Sequence, residues 1–215
     1  MSVSLLQLIE TRLGDHTPSR NPLRRLMQRS AVAMILQVRA GELHILMIKR
    51  AEREGDLWSG HMAFPGGRMD REDANGYAVA VRETSEEIGL ALEERDECIG
   101  RLSDVFARPR RGTFGMAVSP FVFRLDREVT FTPNHEVAEV VWVPLEFLSN
   151  ADNRDEMIWE FRGIKMPVPC YYYEGRCIWG LSLMMLDELL GLVAGSTTRR
   201  LGWRPRRMRK LSGKR

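Results

Sequence analysis

The sequence predicts an α/β (α+β) sandwich in which a mixed β-sheet is covered by helices. Two observations carry the prediction: short runs rich in Val, Ile and Phe are separated by turn residues, and two segments with helical spacing, residues 74–88 and 181–193, lie between and after them. A third agrees with them. At 215 residues, 44% hydrophobic and 28% charged, the chain has the balance of a soluble globular protein with a full core.

Residues 4–13 have the pattern of a short amphipathic helix, and a polar link containing prolines follows through Pro22. "SAVAMILQVRAGELHILMIKRA" then gives two apolar runs around Ala40-Gly41, the pattern of a β-hairpin. A loop with Gly55 and Gly60 leads to Met62-Ala63-Phe64, stopped by Pro65 and Gly66-Gly67. Residues 74–88 read as a helix that ends at Gly89. Strand-like runs follow at 98–106, 114–125 and 137–143, and Pro144 opens a short helical "PLEFL". "WEFRGIKMPVPCYYYEGRCIWG" reads as a further hairpin around Glu174-Gly175, and 181–193 as the closing helix. There is no internal repeat. The expected division is an N-terminal helix and link over 1–29, one domain over 30–195 and a basic tail, expected to be disordered, over 196–215.

The formal net charge of +3 conceals an asymmetry. Nine of the 32 Lys/Arg fall in the last twenty residues with no acid, leaving 23 basic against 29 acidic residues, a body of net −6. The tail interleaves Trp203 with arginines, as weak nucleic-acid-binding segments do. Cys98, Cys170 and Cys177 have neither CxxC nor Cys/His spacing, so no disulfide framework or zinc site is indicated. The longest apolar stretch is interrupted by Asp187 and Glu188, and the first residues carry no basic run before their apolar patch, so the expected location is cytoplasmic.

The chemistry is concentrated in "FPGGRMDREDANGYAVAVRETSEEIGL", residues 64–90. On a helix Glu86 lies about 60° to one side of Glu83 and Glu87 about 40° to the other, so the three carboxylates share an arc of roughly 100°. Like charges four residues apart repel, and a helix C-terminus is the wrong end for anions. A hard divalent cation reverses that sign, because Mg²⁺ takes carboxylate oxygens and bridges to phosphate. The plainer alternative is a solvated acidic face on which Arg82 pairs with Glu86.

The stretch resembles the Nudix box, G-x5-E-x7-R-E-U-x-E-E-x-G-U with U aliphatic. Residues 82–90 match except that Thr84 stands at the aliphatic position. In the first half Asp73 stands where the family has Glu, and eight residues rather than seven precede Arg82. That leaves Asp70, Glu72 and Asp73 as alternative partners for the arginine. The approach "AFPGG", the "EVVWVPL" segment and the late "IWGLSLMML" extend the resemblance over roughly residues 30–194, toward the coenzyme A pyrophosphatase-like branch. "GDLWSGHM", residues 55–62, departs from that branch's usual approach and lacks its Leu-Arg and His.

The resemblance implies a Nudix-like α/β/α sandwich and Mg²⁺- or Mn²⁺-dependent hydrolysis of a nucleoside diphosphate derivative of coenzyme A-like, ADP-ribose-like or dinucleotide type. Glu83, Glu86 and Glu87 are then metal ligands, with a backbone carbonyl of Gly66-Gly67, that of Gly67 first, as a candidate further ligand, and Arg82 orients the glutamates. Glu136 is the outside candidate for general base and Glu139 its competitor. Arg50, with Arg108, Arg110 and Arg111, is suited to clamp phosphate. His61 is a candidate ligand or an ordinary hydrogen-bonding residue, while Trp58 and Trp179 are candidates to stack a base or to pack the rim. Homodimers are common in the family. The alternative reading is a non-catalytic Nudix-fold module that binds nucleotide or RNA.

Overall fold

The computed structural model describes residues 2–20, 22–54, 59–92, 96–107, 115–161 and 163–194. Its centre is a hairpin of β1 (Gln28–Arg39) and β2 (Glu42–Arg50). Ala40 (φ 46°) and Gly41 (φ 85°) make a two-residue turn, and both positive φ angles match the right-handed twist of the flanking strands. The strands pair only from Leu36↔Ile45 to Arg39↔Glu42. Beyond that they part, and the wedge between them holds β3 (Met62–Ala63) against β2 and β4 (Gly66–Arg68) against β1. Ala33 N donates to Pro65 O at 2.8 Å and Arg50 N to His61 O at 3.0 Å, locking the inserted segment on both sides.

On its far side β1 pairs parallel with β7 (Met116–Arg124), from Gln28↔Met116 to Leu36↔Arg124, which makes the sheet mixed. β5 (Cys98–Arg101) and β6 (Val105–Ala107) pair antiparallel with β7, and β8 (Val137–Pro144) with β2. Residues of β1 alternate between two buried layers. Met34 and Leu36 join Leu6, Ile9, Leu183 and Leu186 under α1 (Ser2–Asp15) and α4 (Gly180–Val193). Ala33 and Ile35 join Val79, Ala80 and Ile88 of α2 (Gly76–Ile88). A strand buried on both faces reads as a near-continuous apolar run, which is why "AVAMIL" is so legible. The expected α/β/α sandwich is the observed one. No helix among the described residues is long and apolar enough to cross a membrane.

Two expected elements differ in detail. The run 98–106 is not one strand, because Leu102 N turns to Pro120 O and Asp104 N to Ser19 O, each at 3.0 Å. That bend buries the Asp104 carboxylate beside Arg101, with Ser119 Oγ at 2.7 Å and Arg24 Nε at 3.5 Å, and a buried charge requires such partners. The late hairpin gains a strand, giving a second sheet of β9 (Arg154–Phe161), β10 (Ile164–Tyr173) and β11 (Arg176–Trp179) in the order β11-β10-β9. Arg154 forks onto Asp187 of α4 at 2.7 and 2.8 Å, and Tyr171 donates to Leu148 O of α3 (Leu145–Ser149) at 2.8 Å, fixing this sheet to both helices.

Candidate active site

The wedge between β1 and β2 brings the glycines against the carboxylates. A Cβ on Gly66 (φ +156°) would lie 2.3 Å from Ala31 O and 2.6 Å from Val32 Cα, so only glycine fits there. At Gly67 the added atom would be 2.1 Å from Glu83 Oε1, because the Glu83 carboxylate occupies the space beside that backbone. Gly66 N donates to Glu87 Oε2 at 2.9 Å. Two residues without side chains thus let two acidic groups approach the main chain.

α2 is defined at both ends. Asn75 Oδ1 accepts from Ala78 N at 3.0 Å, and Gly89 (φ 69°) donates to Ser85 O at 3.0 Å. Thr84, the departure from the aliphatic position, is fully buried and donates its hydroxyl to Ala80 O at 2.7 Å. That bond satisfies the one polar group the substitution introduces. The last turn is covered by the segment before β8, with Thr132 N donating to Ile88 O and Asn134 N to Glu87 O, both at 2.8 Å. This contact places Glu136 among the charges that act on Glu87.

Arg82 sits at the centre of an acidic ring. Its Nε and Nη2 donate to Asp73 Oδ1 and Oδ2 at 3.1 and 2.9 Å, and Nη2 also donates to Arg68 O at 3.1 Å. Nη1 meets Glu83 Oε1 at 3.1 Å and Glu86 Oε2 at 3.0 Å. Of the three acids left open by the lengthened loop, Asp73 is therefore the bidentate partner, and Asp70 lies farther away at 3.9 Å. The hydrogen bond to Arg82 holds the Asp73 carboxyl below its ordinary range.

The three glutamates form a gradient of burial that helical geometry alone does not give. Glu86 is the most exposed, Glu83 is largely covered, and Glu87 is only 3% exposed. Burial raises the Glu83 carboxyl, an effect that Arg82 partly offsets. Burial pushes Glu87 up to about 7; the Gly66 N–H and Arg50 act in the opposite sense, while Glu83 and Glu136 add to the rise.

As these side chains stand, no group of three His, Cys, Asp or Glu among the described residues is arranged to hold a metal ion. Glu83 and Glu86 face the Arg82 guanidinium instead, which serves as their counter-ion. The donor set nevertheless fits a hard divalent cation: it is made of carboxylate oxygens, and Glu87 is buried with one hydrogen bond from Gly66 and two neighbouring acids.

Around this centre the other candidates separate. Glu136 Oε1 lies 3.3 Å from Arg53 Nη1, and the Glu136 backbone ties to Ala51 and Asn134 at 2.7 and 2.8 Å. Glu139 is held by Lys49 at 3.2 Å and by Arg176 at 2.8 and 2.5 Å, so it bridges β8 to β2 and β11. Hydrogen bonds from Arg176 and Lys49 keep its carboxyl below the usual range. Arg50 ends β2 and attracts Glu87. The His61 ring stacks edge-on against Trp179, centroids 5.0 Å apart at 70°, and Trp179 lies 6.0 Å from Trp159. Sequence reasoning did not single out Trp159, because only the third strand of the small sheet brings it to Trp179. Arg108, Arg110, Arg111, Trp58 and the tail 196–215 lie outside the described residues.

A profile of the NUDIX domain matches residues 27–161. The chain is 31% identical over 178 residues to "Mitochondrial coenzyme A diphosphatase NUDT8" of Homo sapiens, a match covering 80% of this chain and 74% of that protein. It is 36% identical over 105 residues to "Uncharacterized protein C14C4.10c" of Schizosaccharomyces pombe, 47% of this chain but only 32% of that longer protein. Among solved structures, the NUDIX hydrolase from Alicyclobacillus acidocaldarius shares the fold with a TM-score of 0.50 and 15% identity, over 77% of this chain and 91% of that one.

Proposed function

The chain belongs to the NUDIX family and is a pyrophosphohydrolase of it, and on that premise we propose that it cleaves the diphosphate linkage of a nucleoside diphosphate derivative with Mg²⁺ or Mn²⁺ held by Glu83, Glu86 and Glu87. The backbone of Gly67 lies beside this ligand set. A coenzyme A-like substrate is the first choice, because the human relative is named as a coenzyme A diphosphatase. ADP-ribose-like and dinucleotide substrates are the alternatives.

The observation that carries the reading is Glu87: a carboxylate 3% exposed, with Glu83 and Glu136 as anionic neighbours, is an unfavourable element unless a cation completes it. When bound, a divalent ion would neutralise the diphosphate oxygens and activate a water. The chain's own residues supply the rest. Asp73 and the Arg68 carbonyl fix Arg82, and Arg82 sets the carriage of Glu83 and Glu86. Arg50, with Arg110 and Arg111, receives the phosphates. Glu136 takes the proton of the attacking water, whose oxygen joins one phosphorus as the bridging oxygen departs with the other; two phosphate monoesters result. Glu139, paired with Lys49 and Arg176, serves the fold instead.

Residues 30–195 form the catalytic unit in this reading, and the location is cytoplasmic, which fractionation of native cells tests. The deciding assay is turnover of coenzyme A, ADP-ribose, NADH and dinucleoside polyphosphates with and without Mg²⁺, on the wild type and on Glu86→Gln/Glu87→Gln. Metal-dependent turnover lost in the variant supports the reading. Nucleotide binding without any turnover would favour the non-catalytic module.

A further inference from the structure

Three aromatic rings form a row beside β3. His61 immediately precedes β3, Trp179 closes β11, and Trp159 lies in β9, with centroid separations of 5.0 Å for His61–Trp179 and 6.0 Å for Trp159–Trp179. All three rings are half-buried, neither sealed in the core nor fully in solvent. The register Met166↔Trp159 and Val168↔Met157 sets apolar side chains next to the indole on the same face of the small sheet, where Met166 is 38% exposed.

This row is continuous with the acidic centre. His61 O accepts from Arg50 N at 3.0 Å, Arg50 in turn attracts Glu87, and Glu87 accepts from Gly66 N. His61 and Gly66 are five residues apart on the segment inserted between β1 and β2, so the aromatic row and the glycine that binds Glu87 belong to one stretch of chain. The aromatic rings, Arg50 and Glu87 are thus joined through this segment, and a nucleoside diphosphate derivative offers groups that match them, a flat base and a diphosphate.

We propose that Trp159, with Trp179 and His61, is the wall that stacks the base of the substrate, so that the diphosphate falls between Arg50 and Glu87. The assignment rests on the hydrolase reading above. The sheet β9–β11 thereby holds the nucleotide by the flat face of its base and tolerates variation in the group beyond the second phosphate. Base–aromatic stacking is sequence-tolerant, because every base presents a π-face. Trp179 also anchors the small sheet to β3, so Trp159 is the residue to change.

Calorimetric titration of the full chain with AMP and with ribose 5-phosphate, which lacks the base, tests the wall without relying on turnover. Trp159→Leu is expected to weaken AMP binding roughly 10-fold and to leave ribose 5-phosphate unchanged. Trp159→Phe should retain most of the AMP affinity. In turnover assays Trp159→Leu should raise KM for a purine substrate while kcat holds. AMP binding no tighter than that of ribose 5-phosphate in the wild type, or equal losses for both ligands in Trp159→Leu, would overturn the proposal. So would a dimer in sedimentation that Trp159→Leu converts to monomer, since the face would then be an interface between copies. Turnover with no Trp159 dependence sinks the wall alone; Trp159-dependent AMP binding without turnover sinks the hydrolase reading alone.

Discussion

Asp73 holds Arg82 by two parallel hydrogen bonds, Nε to Oδ1 at 3.1 Å and Nη2 to Oδ2 at 2.9 Å. The pair joins the loop after β4 to the middle of α2, and the remaining nitrogen of the same guanidinium faces Glu83 and Glu86. Bidentate pairing fixes a direction as well as a charge.

Removing that anchor should disturb both the carriage of the glutamates and the fold. Asp73→Asn is expected to lower kcat about 10-fold and to cost roughly 2 kcal/mol in urea unfolding, since one partner of a charged hydrogen-bonded pair is left behind. Asp73→Glu should recover part of kcat. A kinetically wild-type Asp73→Asn would show that Arg82 needs no such support.

Glu87 makes the stability of the metal-free protein depend on pH in a defined direction. Its carboxyl is raised to about 7 by burial in the folded state, whereas the unfolded chain releases that proton in the ordinary glutamate range. Between those two values the folded state holds more protons, so stability falls as pH rises and the loss is complete above the folded value. A shift of this size corresponds to about 3 kcal/mol from this group. Unfolding in EDTA at pH 5 and pH 8 should show the loss in the wild type and a flatter dependence in Glu87→Gln. Identical slopes in the two proteins would refute the assignment.

Glu136 and Glu139 stand three residues apart and should behave oppositely. Glu136→Gln is expected to reduce kcat about 100-fold, with unfolding little changed. Glu139→Gln breaks contacts to Lys49 and Arg176 and should cost about 1 kcal/mol of stability, with kcat within about twofold of wild type. Reversed outcomes would exchange their roles.

Much of this was legible in the sequence because the strongest signals are local. A strand buried on both faces must be apolar throughout, and a helix must stop where Gly89 takes a positive φ, so β1 and α2 stand out from residue type alone. The spacing of Glu83, Glu86 and Glu87 places them on one arc, and residue spacing permits no more than that. Which of them is buried depends on Gly66 and on the segment at 132–134, and those contacts come from strand insertion and a long-range loop. The partner of Arg82 was ambiguous for the same reason: a loop one residue longer offers three acids, and only the folded path selects Asp73. The break between β5 and β6 was invisible because the buried Asp104 takes its partners from Arg24, Arg101 and Ser119, on separate elements. Trp159 belongs to the same class, joined to Trp179 only through β10.

The most direct test is a Mn²⁺ titration followed by the paramagnetic resonance signal of the free ion. The wild type should deplete that signal saturably at neutral pH, and Glu87→Gln should weaken the binding by at least about 10-fold, as loss of a charged metal ligand demands. Equal Mn²⁺ binding by the two proteins, or none by either, would contradict the claim that a divalent cation completes this cluster of carboxylates.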